Sequence, residues 1–323
     1  MNYTMTGNLA STATKEITLT HAGAGLNLIG NSWMAPIQIG ALAEDNTDAN
    51  ITKTVYIYCA GRDAVGGAVV SSDDTETAGQ WLAIPFEAAA FATWRDAGKL
   101  SVIPAMQAFQ IKVSAEATLT LDYKKVVRGS TNDLNAKLRA PGRRMAANEV
   151  TMTNIRVADS KTHTDLSLFE GDRFSEAFDN GWEAEYMNGD GRSAKLYAET
   201  EIGQMAVMAM YDYEGTIVGF APGQETEYTF SFMGEDNGYY LNDIKLQNSV
   251  RISEGETYTF TYEEGDAANR FYISRTAINA PEVATGMENL DAAAPKVQKI
   301  IYNDKLYIIR GGRLYDATGK VVK

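Results

Sequence analysis

The stretch Thr257-Tyr258-Thr259-Phe260-Thr261-Tyr262 decides the fold class, because aromatic and hydroxyl residues change places at every position. A strand sends successive side chains to opposite faces, so Tyr258, Phe260 and Tyr262 share one face and the threonines the other. Tyr228, Phe230 and Phe232 alternate with Thr229 and Ser231 in the same way. Working outward, period-two patterns recur at Ile17 and Leu19, at Phe109, Ile111 and Val113, at Leu119, Leu121 and Tyr123, at Leu166 and Leu168, and at Phe271 and Ile273. Turn pairs stand between them, among them Asn188-Gly189, Asp190-Gly191, Glu214-Gly215, Asn237-Gly238, Glu254-Gly255 and Glu264-Gly265. Their spacing is that of antiparallel sandwiches. One helix is expected as an insertion near residues 85–97, where Pro85 suits a first turn and Gly98 a stop. Phe109 and Phe271 are expected in cores. Asn27, Gly30 and Asn31 are expected to shape a bend, since Gly and Asn tolerate left-handed backbone.

Charge divides the chain more sharply than hydropathy does. The 323 residues carry 29 basic and 42 acidic side chains, a net charge of −13, which opposes a nucleic-acid partner because phosphate binding needs a basic surface. No apolar run of about 18 residues offers a membrane span, and residues 1–20 lack the basic start and apolar stretch of an intact signal peptide. Between Lys124 and Arg144 there are seven basic residues and one acidic, with little periodicity. From Phe169 to Arg270 there are 21 acidic residues and six basic, amid strand signals. After an Ala-, Pro- and Gly-rich stretch, the end turns basic again. The expected organisation is a first β-sandwich over 1–128, a basic linker over 129–147, a second, acidic sandwich over 148–276, a linker over 277–294, and a basic meander tail over 295–323. A tail of that size cannot bury enough apolar surface to stand alone, so it must dock on the body, dock on a partner or stay mobile. The start at Met1-Asn-Tyr-Thr-Met reads as already inside a strand, as expected of a piece of a longer precursor.

The residue types that carry catalysis are scarce. The usual general base occurs only as His21 and His163, each beside Thr at a strand boundary and each read as a surface or turn residue. No Ser stands in a G-x-S-x-G elbow. One cysteine, Cys59, excludes an internal disulfide and, within Val55-Tyr-Ile-Tyr-Cys59, reads as a small buried hydrophobe. One Cys and two isolated His cannot supply a zinc site. Gly23-Ala-Gly25-Leu-Asn-Leu-Ile-Gly30 joins strands rather than opening a helix, so it lacks the helix N-terminus of a phosphate cradle. Asp45, Asn46, Asp48 and Asn50, or Asp179, Asn180, Asn188 and Asp190, offer hard oxygens without EF-hand spacing, and plain turn chemistry accounts for them. No catalytic residue, metal ligand or cofactor is therefore assigned. Aromatics are the remaining ligand candidates: Trp182, Tyr186, Tyr239 and Tyr240 lie beside turns and could stack on sugar rings, though an aromatic in a strand is more often core.

Several of these segments resemble a known family. Gly25-Leu-Asn-Leu-Ile-Gly-Asn-Ser-Trp-Met-Ala-Pro-Ile-Gln-Ile and Val102-Ile-Pro-Ala-Met-Gln-Ala-Phe-Gln-Ile-Lys-Val resemble the NLIGNPYPSPID and IPPGQGFFVK signatures of the C-terminal regions of large exported surface proteins of the Bacteroidota. Ser32-Trp33-Met34 stands where that signature has Pro-Tyr-Pro. Phe178-Asp-Asn-Gly-Trp-Glu183 and Gly265-Asp-Ala-Ala-Asn-Arg-Phe271 look like the FDNGWD and DRF positions of a second module. The tail resembles the YIIRDGKIYNALGQRV endings of such proteins, akin to sorting domains of the type IX secretion route but shorter. The resemblance implies a non-catalytic C-terminal portion of a surface protein and no active-site residue.

The sequence thus reads as all-β: two antiparallel, jelly-roll-like β-sandwich domains plus a short C-terminal β-meander. Its expected role is a non-catalytic structural or adhesive module of an exported cell-surface protein, with a tail for anchoring or secretion. Its expected partners are a cell-surface or extracellular protein or glycan and the rest of a longer precursor. A carbohydrate-binding module appended to a secreted hydrolase stands second, and a glycosidase using an acidic pair third.

Overall fold

A computed structural model describes residues 14–33, 35–60, 79–126, 150–175, 177–278, 297–302, 305–310 and 313–322. The expected basic linker, nearly all of the second linker and the start at Met1 lie outside the described residues, as does the side chain of Cys59. The chain is all-β. The first sandwich contains β1 (Thr14–Leu19), β2 (Leu26–Gly30), β3 (Ile37–Gln38), β4 (Thr54–Ala60), β5 (Gly79–Pro85), β6 (Val102–Ile103), β7 (Ala108–Lys112) and β8 (Ala117–Asp122), with helices α1 (Ala88–Asp96) and α2 (Tyr123–Val126). An antiparallel sheet of order β2-β7-β4-β5 is joined by the pairs β1–β8 and β3–β6. Alternation sends Phe109, Ile111, Leu119 and Leu121 into one core, where Ile51, Val55 and Ile84 meet them.

The expected helix is present, with a different start. Pro85 ends β5 opposite Thr54, and α1 begins at Ala88, burying Ala90, Phe91 and Trp94. The bend after β2 also forms by other means than expected. Neither Asn27, Gly30 nor Asn31 has a left-handed backbone; Gly23, Gly25 and Met106 do. The asparagines act through their side chains. Asn31, 2% exposed, donates from Nδ2 to the carbonyls of Ala35, Ile103 and Pro104 at 3.0–3.1 Å and accepts from Trp33 N–H. Asn27 bridges Thr20 and Gly25 similarly.

The second sandwich contains β9 (Thr151–Ala158), β10 (His163–Glu170), β11 (Ala184–Glu185), β12 (Lys195–Thr200), β13 (Gly203–Met210), β14 (Ile217–Ala221), β15 (Glu227–Met233), β16 (Tyr240–Asp243), β17 (Asn248–Arg251), β18 (Thr257–Thr261) and β19 (Phe271–Ser274). These make an eleven-stranded sheet of order β17-β16-β19-β14-β12-β13-β10-β9-β15-β18, with β11 on β13. Phe220 and Phe271, near one end of that order, lie about 5 Å from the Phe260 and Phe230 rings near the other. The sheet therefore folds over on itself around an aromatic core. Its pairings are antiparallel except for β10 with β13, which run the same way because residues 171–202 form a long crossover between them, as a parallel pair requires. His163, read as a surface or turn residue, opens β10 in a buried position.

The tail forms the meander β20 (Val297–Tyr302), β21 (Lys305–Arg310) and β22 (Arg313–Asp316). Of the three fates open to it, it takes the first. Ile300, Ile309 and Leu314 pack on Ile244 and Tyr272 of the second sandwich.

The two asparagine and glycine positions separate these two accounts of the bend. Asn31→Ala leaves buried carbonyls without a donor and is expected to lower stability in urea denaturation by about 1–3 kcal/mol. Gly30→Ala meets open space at an ordinary backbone angle and is expected to stay within about 0.5 kcal/mol of the parent.

Candidate functional site: the seat between the sandwiches

Strand β10 carries the site because both of its faces are covered. Leu166 and Leu168 enter the core of the second sandwich, whereas Phe169, on the opposite face, joins the core of the first. Strand β13 divides likewise, Met205 and Met208 going one way and Val207 and Ala209 the other. The outer face of the second sandwich is thus a seat for the first.

One edge of the seat is the loop Phe178-Asp-Asn-Gly-Trp-Glu183. Asn180 accepts from Lys53 N–H at 2.7 Å and donates to the Ile51 carbonyl at 2.9 Å, completing the first sandwich's backbone bonding as a strand would. Gly181 has φ +90°, and a β-carbon there would fall 2.7 Å from Glu87 Cβ, so the close approach and the backbone angle both demand glycine. Trp182 is 4% exposed, its indole edge-on to Phe169 and Phe174 with ring centroids 5.3 and 4.9 Å away. Glu183 is buried beneath it. Burial raises its carboxyl to about 7, although the Asp179 and Ala209 N–H groups that it accepts pull the other way. At the rim, Lys112 pairs with Glu185 at 2.6 Å.

The other edge holds a polar cluster. Asn154 and Arg156 on β9 stand opposite Ser167 and Asp165 on β10. Into them reaches Lys99, from just after α1, with its side chain 4% exposed. Its Nζ lies against Asn154 Oδ1, 3.0 Å from Ser167 Oγ and 3.5 Å from Asp165 Oδ2, and 4.5 Å from the Trp94 ring centroid. Burial pushes the Lys99 amine down, with Asp165 opposing. Burial would raise Asp165, but Lys99 and a two-pronged ion pair with Arg156 hold it at about 2.

The four aromatics singled out as ligand candidates do not meet. Trp182 is in the seat; Tyr186, half-buried, tilts against Tyr197 at 5.7 Å. Tyr239 is 1% exposed, donating to Glu170 Oε1 at 2.6 Å beneath the Arg275 guanidinium. Tyr240 is half-exposed and bonded to Arg251 at 3.0 Å. The loop oxygens considered for calcium serve other partners: Asp45 binds Lys125, Asn46 bonds to Leu42 and Thr120, and Asp190 binds Arg192. Among the described residues no group of three or more His, Cys, Asp or Glu is placed to hold a metal. A polar groove, lined in part by Glu170, Asp172, Asp212, Asn237 and Arg275, carries Tyr211 on its wall, 57% exposed.

Sequence reasoning found the motif at 178–183 but not its job, and missed Lys99, Asn154, Asp165 and Ser167. Their alternation with apolar neighbours on β9 and β10 is the pattern of a solvent face; only the position of Lys99 directly after the helix-stopping Gly98 sets it apart.

Fold and site together define an all-β chain of two sandwiches locked face to face, with a docked terminal meander. No family model matches the chain, and no solved structure matches it. Over 267 residues, 78% of the chain, it is 28% identical to the minor fimbrium subunit Mfa5 of Porphyromonas gingivalis. The match occupies 21% of that protein's length, so the chain spans about a fifth of this relative.

Glu183 gives the seat a pH signature. Its folded pKa of about 7 lies above the ordinary 4.5, so the folded state binds the proton more tightly and stability falls as pH rises between those values. Glu183→Gln is expected to remove that fall, gaining about 2–3 kcal/mol relative to the parent between pH 4.5 and 7 in paired urea titrations. A difference that does not vary with pH would exclude a neutral Glu183. Trp182→Ala is expected to destabilise by about 3–5 kcal/mol through the cavity it leaves.

Proposed function

We propose that the chain is a non-catalytic structural or adhesive part of an exported cell-surface assembly of the fimbrial kind. The observation that carries this reading is the seat: a buried polar cluster bonds one sandwich to the other instead of lining a cleft for a substrate. The likeness to a minor fimbrium subunit supports it, as does the resemblance of both sandwiches to terminal regions of Bacteroidota surface proteins. In this reading the loops present a surface to a protein or glycan partner outside the cell, and the rest of a longer precursor supplies further modules. The basic meander serves anchoring or secretion, in the manner of the sorting tails it resembles. Deleting residues 295–323 is expected to leave the two sandwiches folded while surface display, scored by antibody on intact cells, is lost. Undiminished display by the truncated protein would remove that role from the tail.

A carbohydrate-binding role is the second reading, favoured by exposed Tyr211 beside the acids, Asn237 and Arg275 of the groove, since a rigid aromatic beside fixed polar groups suits a sugar ring. Half-exposed Tyr240 is the other candidate platform. Under this reading Tyr211→Ala or Tyr240→Ala abolishes binding on a glycan array without changing the melting temperature.

A further inference from the structure

We propose that Lys99 and Asn154 join in an intramolecular isopeptide bond that covalently ties the first sandwich to the second. The two side chains are already in contact in a site closed to water: Lys99 is 6% exposed and Asn154 2%. An ammonium there is poorly matched, facing one amide, one hydroxyl, an indole ring and a carboxylate that Arg156 already neutralises. Burial favours the uncharged amine, which is the nucleophilic form. The amide is set up as the electrophile. Ser167 Oγ donates to Asn154 Oδ1 at 2.9 Å, where negative charge would develop, and Asn154 Nδ2 makes no hydrogen bond among the described residues.

The step balances without a co-reactant. Lys99 Nζ attacks Asn154 Cγ and forms the new C–N bond. Asp165, 3.5 Å from Nζ, takes a proton from the attacking nitrogen and returns it to Nδ2. The Cγ–Nδ2 bond then breaks and ammonia leaves. A void of about 20 Å³ lined by Trp94, Asp165 and Ser167 adjoins the cluster and is large enough for one water-sized molecule. Arg156 keeps Asp165 ionised before it takes the proton and after it has returned it. The product retains an amide oxygen for Ser167 and removes the buried charge of Lys99.

The test is the intact mass of the denatured, purified full chain, followed by peptide mapping. The expected mass is below that of the sequence by one ammonia, with a branched peptide joining Lys99 to Asn154. A mass equal to that of the sequence, or ammonia lost elsewhere, overturns the proposal. Lys99→Met and Asn154→Ala are each expected to show no loss. Asp165→Ala keeps both reacting residues and is expected to abolish or greatly slow the cross-link. Should a variant fail to fold, force spectroscopy of the parent decides: the two linked positions are 55 apart in sequence, so the link shortens the extended chain by about 190 Å at roughly 3.5 Å per residue. Full extension of that segment would refute the bond.

Discussion

The structure depends on β10 and β13 having no solvent side. Covering one face of a strand requires only alternation, but covering both makes every polar residue on the second face a liability unless it is matched. On β10 the inner face is Leu166 and Leu168, and the outer face is Asp165, Ser167 and Phe169. Phe169 supplies apolar contact to the first sandwich. Asp165 and Ser167 require partners, and Arg156, Asn154 and Lys99 are those partners. A buried pair of this kind adds little net stability over a well-packed apolar seat, because desolvation offsets the attraction. Its value lies in selectivity: a sandwich seated in any other register would leave an uncompensated charge.

The acidity of the second sandwich takes on a different meaning in this light. Surface acids do keep a domain soluble, yet several of these carboxylates are inside. Asp243 holds Arg270 by two bonds of 2.8 and 2.5 Å while both side chains are 1% exposed, and Asp266 takes a third at 3.0 Å. The Arg270 guanidinium lies about 5 Å from the Phe260 and Phe271 rings. The Gly265–Phe271 motif is thus an internal clamp between β16 and β19, as the 178–183 motif is a clamp between sandwiches. Both segments are organising elements of the fold, which accounts for motifs that can be read in a sequence with so few catalytic residue types.

Fold class was legible because alternation is a local property: Tyr228, Phe230 and Phe260 declare their shared face in a handful of residues, and the structure places them in one aromatic core. The seat was not legible, because the same alternation assigns Asn154, Arg156, Asp165 and Ser167 to a solvent face. Only the tertiary approach of α1 turns that face inward. The parallel pairing of β10 with β13 escaped for a related reason, since strand direction is set by a crossover of some thirty residues and not by either strand. Asn27 and Asn31 were recognised as bend formers, but their type permits both a left-handed backbone and side-chain capping, and which one operates depends on where the neighbouring carbonyls lie.

The two edges of the seat differ in how they respond to loss, and this sets which of them controls the joint. At the loop edge, Asn180 meets backbone groups of Lys53 and Ile51 that are only partly buried; if the loop lifts, water can replace it at modest expense. At the Lys99 edge, even before any link to Asn154 forms, separation would have to hydrate an amine, a carboxylate and two amide atoms together, and partial separation would strand them in a dry gap where an unpaired charge is far more costly. Opening from the loop side is therefore the easier path, and the polar cluster acts as the hinge that holds last. That asymmetry makes the Lys99 edge the point at which the two sandwiches behave as one body.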